Sequence, residues 1–247
     1  MESFQNYVEN GEVLTLEVKY TPEQVMEANK NDLLTNGRTY GEALLKFYPY
    51  LMMDVKYTLP GQKTREGVIL WSLVDGEMVI NAETWEITHG FEDTINANAS
   101  RNDFKIINAL AQNKGALTKE RLQKDLRVDS DEFDALLESA RSKHLITIKG
   151  NEVQLHFENP KFLVPPQTKI SQWLVTKPYN HAQLIPKKYS RSQIEKITQA
   201  AFGSDFAIRT AKEVFLPVYS IRVVNPDGSV LTSFWNALNG QVLMKMR

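Results

Sequence analysis

Two stretches of this chain read as copies of one another. Val18-Lys19-Tyr20-Thr21-Pro22-Glu23-Gln24-Val25 matches Lys187-Lys188-Tyr189-Ser190-Arg191-Ser192-Gln193-Ile194 at an offset of 169. Downstream, Ala43-Leu44-Leu45-Lys46-Phe47-Tyr48-Pro49-Tyr50 meets Ala211-Lys212-Glu213-Val214-Phe215-Leu216-Pro217-Val218 at an offset of 168. A third match, Asn81-Ala82-Glu83-Thr84-Trp85 with Asn236-Ala237-Leu238-Asn239-Gly240, falls at 155, which predicts about a dozen extra residues in the first copy. A unit written twice has to satisfy one set of packing rules twice, so this spacing limits the architecture more than composition does.

Each copy reads as a helix laid on a small antiparallel sheet. Val13 to Tyr20 alternates as a half-buried strand, Thr21 offers a hydroxyl cap, and Pro22 sits at the first helical position, where its missing N–H costs nothing. A strand over Lys46 to Tyr57 follows, and Pro49 within it predicts an edge or a bulge. Asp75-Gly76 marks a tight turn between Gly67–Val74 and Glu77–Asn81. The second copy repeats the order, with Ser190 as cap, a helix to Phe202, a strand over Val214 to Val224, turns at Asp227-Gly228 and Asn239-Gly240, and two closing strands. A capped helix, a strand around an aromatic-Pro-aromatic or aliphatic-Pro-aliphatic step, and a strand ending in Asn-Ala before a turn resemble PepSY-like repeat modules. In the last turn Trp85 stands where the other copy has Gly240.

Between the copies the rhythm changes. Phe104, Ile107, Leu110 and Ala111 form a helical stripe stopped at Gly115; Thr118 caps a short helix carrying Leu122 and Leu126; Asp129 and Glu132 open a third helix. Ile146–Lys149 and Glu152–Phe157 flank Gly150-Asn151 as a hairpin. Three helices followed by a hairpin resemble the winged-helix family. The fold class expected is therefore α+β, two duplicated helix-on-antiparallel-sheet modules flanking a central winged-helix domain. The boundaries are 1–98, 99–158, a linker at 159–178 marked by Asn159-Pro160 and Pro165-Pro166, and 179–247.

Net charge is −1, but residues 1–100 hold 7 basic and 16 acidic side chains, residues 101–156 hold 10 and 9, and residues 157–247 hold 12 and 5. An acidic first module and a basic last one attract each other or different partners. There is no cysteine, which excludes disulfides and thiolate chemistry and suits a reducing compartment. No apolar run is long enough to span a bilayer and no export signal is evident, so cytoplasmic residence without membrane contact is expected.

For nucleic acid, a winged helix invites its third helix into the major groove. Here that helix carries Asp129, Asp131, Glu132, Asp134 and Glu138, which repel phosphate. The cations that could meet a polyanion are Lys119, Arg121, Lys124 and Arg127 on the second helix, Lys149 near the wing, and Lys187, Lys188 and Arg191 in the last module, interleaved with Tyr179 and Tyr189. For a protein partner, Asp131, Asp134 and Glu138 offer an acidic face, and Tyr48 and Tyr50 beside Pro49 offer an edge onto which a strand can add. No phosphate-binding glycine loop, dinucleotide fingerprint or nucleophile elbow occurs. His89, His144, His156 and His181 stand on separate elements, and Glu92-Asp93 reads as a solvated loop. Neither catalytic residues, a metal nor a cofactor are indicated, and the reading is an interaction protein that binds a protein partner or itself, with a nucleic-acid-binding regulator as the alternative.

Overall fold

The computed structural model describes residues 11–244 apart from 60, 62, 158, 159, 162 and 179–181. Of the residues singled out above, Asn159, Tyr179 and His181 lie outside that set. The fold is α+β. In chain order it runs β1 (Glu12–Leu16), α1 (Pro22–Ala28), α2 (Lys30–Leu33), β2 (Thr39–Thr58), β3 (Thr64–Ser72), β4 (Met78–Asn81), β5 (Glu86–Ile87) and α3 (Phe91–Asn96). Then come α4 (Arg101–Gln112), β6 (Ala116–Thr118), α5 (Lys119–Leu126), α6 (Ser130–Ser142), β7 (Ile146–Lys149) and β8 (Glu152–Leu155). The chain closes with β9 (Leu174–Pro178), β10 (Gln183–Leu184), α7 (Arg191–Phe202), β11 (Ala207–Val224), β12 (Val230–Asn236) and β13 (Val242–Met244).

The two ends of the chain build one curled sheet. Its main path is β13-β12-β11-β2-β3-β4-β5, so the long strands β2 and β11 lie antiparallel at its centre. Tyr48 stands opposite Leu216, with Phe47 opposite Pro217 and Pro49 opposite Phe215. The expectation of an edge strand at Pro49 is therefore corrected: β2 is interior. The missing N–H is tolerated because the outer side of β2 changes partner there, from β10 at Lys46 and Phe47 to β3 from Tyr50 onward. Pro217 occupies the same kind of gap, between β1 at Phe215 and β12 from Val218.

Hydrogen bonds at the two gaps correspond one for one. Leu73 N–H donates to Pro49 O at 3.0 Å and Ala237 N–H to Pro217 O at 3.1 Å. Lys188 and Tyr189 N–H donate to Leu73 O, as Lys19 and Tyr20 N–H donate to Ala237 O. Asn236-Ala237 thus takes the place of Ser72-Leu73, not of Asn81-Ala82 as the sequence match suggested. From Pro49 to Leu73 the first half is only four residues longer than from Pro217 to Ala237. The turn at 81–85 still resembles the one at 236–240 locally, with Asn81 and Asn236 each accepting a backbone N–H two residues on.

Both terminal helices have a reciprocal capping box, Thr21 with Gln24 and Ser190 with Gln193, as the sequence led one to expect of their caps. Each helix covers strands from the opposite end of the chain. Val25 of α1 packs on Tyr219, Ile221 and Trp235, whereas Ile194 and Ile197 of α7 pack on Leu51, Met53 and Trp71. The same core takes in Phe91 and Ile95 of α3 and Phe104 and Ile107 of α4, which joins the helical unit to the sheet. Residues of opposite parity, Tyr50, Met52, Leu70 and Leu216, make a second core on the other face. The segment after β8 straps across this sheet: Thr168 N–H donates to Val68 O and Lys169 N–H to Ile80 O.

The helical unit has α4, α5 and α6 over a sheet of order β6-β8-β7. Its caps are Ser100, Thr118 and Asp129. The strand β6 was not anticipated, since three residues show no periodicity. Nor was α3, and this corrects the solvated-loop reading of Glu92: that carboxylate accepts from Lys188 Nζ and Tyr189 Oη. The N-terminal donors of α3 are met from a distance by the buried Glu77, whose Oε1 accepts from Gly90 N–H at 2.8 Å and Glu92 N–H at 3.1 Å while Oε2 accepts from Thr88 Oγ1 at 2.6 Å. Burial raises the Glu77 carboxyl above the usual range, and these donors oppose the rise. Gly76 beside it allows the approach of Tyr189, since a Cβ there would lie 2.9 Å from the Tyr189 ring.

Glu77→Ala strands three donors and is expected to cost about 3 kcal/mol, read as a loss of thermal stability with early hydrogen exchange in α3. Asp103, 2 % exposed, carries a second buried charge. Burial pushes its carboxyl up, but Lys143 Nζ at 2.6 Å with the Ser100 N–H and hydroxyl outweighs this and holds it below the usual range. A depressed folded value supplies stability above the unfolded pKa of about 4 and loses it as pH falls through the folded value. Lys143→Met is expected to cost about 2 kcal/mol at pH 7, and its melting temperature should converge on the wild-type value toward pH 2.

Candidate functional site

A cavity of about 340 Å³ opens where the two halves of the sheet meet. The centre of β2 supplies Tyr48 and Tyr50, the turn after β3 supplies Asp75, the turn before β5 supplies Trp85, and the β12–β13 turn supplies Asn236, Asn239 and Gln241. The two tyrosines share a face because they are two residues apart on a strand. Tyr50 is 3 % exposed, which corrects its reading as an exposed edge aromatic, and Tyr48 is half-buried. The Trp85 indole meets the Tyr50 ring edge-on at 5.6 Å between centroids. Trp85 has φ +54°, a left-handed backbone that disfavours bulky side chains by about 1–2 kcal/mol.

Two polar groups in the cavity wall are incompletely met. Asn236, 1 % exposed, accepts Leu238 N–H on Oδ1 at 2.9 Å, which fixes the amide orientation. Its Nδ2 is buried with no hydrogen-bond partner among the described residues. The half-buried Asp75 accepts Glu77 N–H on Oδ1 at 3.0 Å but forms no ion pair among the described residues. Burial pushes the Asp75 carboxyl up, Glu92 adds to the rise, and the Glu77 N–H and the Ser72 hydroxyl resist it. Burial also raises the Tyr50 phenol, reinforced by the charge of Asp75.

The sequence candidates divide by location. Among the cations, Arg121 pairs with Asp125, Lys187 with Glu213, Lys188 with Glu92, and Arg191 with Glu195. Arg191 also donates to Ala211 O, which ties the start of α7 to β11. Lys124, Arg127 and Lys149 are exposed on the helical unit, and Lys119 is half-buried at the first turn of α5. These belong to α5 and the β7–β8 hairpin, whereas Lys187, Lys188 and Arg191 sit at the start of α7. Asp131, Asp134 and Glu138 are all exposed on α6, where Glu138 has Arg141 as a neighbour at 3.8 Å. Only Tyr48 and Tyr50 of the sequence candidates line the cavity. Asp75 was missed because it was read only as a turn residue, Asn236 because it was read as the end of a strand, and Gln241 because nothing singled it out; the one available signal was a tryptophan where a turn calls for glycine.

Among the described residues no group of three or more His, Asp or Glu could hold a metal ion, and no helix is long and apolar enough to cross a membrane. No family model matches the chain, and comparison with curated proteins and with solved structures finds none similar to it.

Asp75→Asn keeps the acceptor for Glu77 N–H and removes the charge. A raised folded pKa means that stability falls as pH rises from the unfolded value through the folded one. Asp75→Asn is therefore expected to stabilise the protein at pH 7, by on the order of 1 kcal/mol, with the gain vanishing below about pH 4. Thermal melts across that range check it.

Proposed function

We propose that the chain is a non-enzymatic, cytoplasmic interaction protein in which a winged-helix unit, residues 99–158, docks a protein partner and two duplicated modules, 1–98 and 179–247, form its platform. The observation that carries the docking role is the solvent face of α6. Asp131, Glu132 and Asp134 are exposed there and form no ion pair among the described residues. A helix presenting this face to phosphate is repelled, whereas a basic protein surface complements it. Duplication is supported by the paired hydrogen bonds at Pro49 and Pro217 and by the two capping boxes. The likeness to PepSY-like modules and to winged helices agrees with the element order.

A nucleic-acid role draws its support from Lys119, Lys124, Arg127 and Lys149, which form no salt bridge among the described residues, although Glu120 lies beside Lys119. It is weakened by the engagement of Arg121, Lys187, Lys188 and Arg191 within the protein. Interleaved Glu120 and Asp125 further dilute the positive face of α5.

Cross-linking and affinity capture with wild type and with the double variant Asp131→Lys, Asp134→Lys tests the reading. The variant is expected to lose the specific partner while melting within about 0.5 kcal/mol of wild type, as exposed substitutions do. Mixed-sequence duplex DNA is expected not to bind at about 50 mM salt. Salt-dependent binding that weakens in Lys187→Glu, Lys188→Glu would transfer the role to nucleic acid.

A further inference from the structure

The cavity at the seam of the sheet has a composition that the docking role of α6 does not use. Its wall combines three aromatic rings with one carboxylate that has no counter-ion and one amide donor that has no acceptor among the described residues. A buried donor left unmade is costly, and a carboxylate in a half-buried pocket favours a cation over any neutral or anionic neighbour. Aromatic faces hold the same kind of group, because the ring quadrupole attracts an ammonium set over Tyr or Trp, more strongly when it is desolvated. Val74, Ile87, Val242 and Leu243 add an aliphatic part of the wall that suits a short hydrocarbon body, and Thr84, Asn239 and Gln241 add polar rims to it.

The two unmet groups ask for opposite charges at two ends of one small molecule. Asp75 is held in the turn after β3 and Asn236 at the end of β12, so the demands come from different halves of the sheet. The Asn236 amide cannot satisfy itself by flipping, because its oxygen is committed to Leu238 N–H and the flipped nitrogen would face that donor. A purely anionic ligand would meet Asp75 with Glu92 behind it, and a purely cationic one would leave Nδ2 unmet. Trp85 is kept in a left-handed backbone that glycine would occupy without strain, and its indole closes the wall beside Tyr50.

We infer that this cavity binds a small alkylammonium carboxylate, an amino acid or a betaine, with its cation against Asp75 among the rings of Tyr48, Tyr50 and Trp85 and its carboxylate accepting from Asn236 Nδ2. No covalent step is involved, and the site is independent of the partner that α6 docks.

Titration calorimetry and tryptophan fluorescence with four probes test it: glycine betaine, L-leucine, choline as a cation without a carboxylate, and 3,3-dimethylbutanoate as the uncharged-head isostere of betaine. Betaine or leucine is expected to bind and to alter the Trp85 emission, and the preference between them separates a methylated from a primary ammonium. The isostere is expected not to bind. Asp75→Asn, which retains the turn hydrogen bond, should weaken binding at least about tenfold while melting no lower than wild type. Asn236→Asp keeps the acceptor for Leu238 N–H and should turn the preference from betaine to choline; if that variant does not fold, Tyr48→Leu should weaken both zwitterions. Binding of the isostere as tightly as betaine, unaltered affinity in Asp75→Asn, or no response to any probe at about 10 mM would overturn the inference.

Discussion

The antiparallel ladder between β2 and β11 is the interaction on which the remaining structure depends. Each strand is long enough to carry two partners in succession along its outer side, β10 and β3 on one, β1 and β12 on the other. The change of partner leaves a short stretch with no ladder, and Pro49 and Pro217 fill it without wasting a donor. Freed there, the carbonyl oxygens of the two prolines receive Leu73 and Ala237, which in turn accept from the residues leading into α7 and α1. One register therefore fixes both helices, and it fixes each over strands from the far end of the chain. Separating the two halves would expose Val25 and Ile194 together with the strand faces they cover.

Local chemistry was legible in the sequence and long-range pairing was not. Thr21, Ser190, Thr118 and Asp129 announced their helices because a cap acts within three residues of itself. The turns at Asp75-Gly76, Gly150-Asn151 and Asp227-Gly228 announced themselves for the same reason. Pro49 misled because proline reports only that one N–H has no partner, and a break between two successive neighbours meets that condition as well as an open edge does. The match of Asn81-Ala82 to Asn236-Ala237 misled in a related way: two turns with the same asparagine-to-backbone bond sit one hairpin apart. At the cavity, alternation placed Tyr48 and Tyr50 on one face but had no means to say that Trp85 and Asn236 close over it.

The contrast in charge between the two ends has its place in this arrangement. Lys188 reaches Glu92 and Arg209 reaches Glu66, so basic groups of the last segment meet acidic groups of the first across the joined sheet. Exposed pairs of this kind add little to stability, and the buried ladder and helix faces supply the binding between the halves. The charges instead penalise alternatives: a second copy of either end paired with itself would set like charges together. Complementary charge thus favours pairing a first end with a last end over pairing like ends.

The turn at Asp75-Gly76-Glu77 shows a half-buried and a buried carboxylate treated in different ways. Glu77 is met by three donors and holds the start of α3, and Gly76 between them makes room for Tyr189, which leads into α7. Asp75, two residues earlier, lines the cavity on the other face of the sheet, where the Glu77 N–H and the Ser72 hydroxyl meet its carboxylate and no cation pairs with it among the described residues. A fold selected for stability alone would fill both positions as it fills Glu77. The donors on Glu77 fix the turn, and the fixed turn sets Asp75 in the cavity wall.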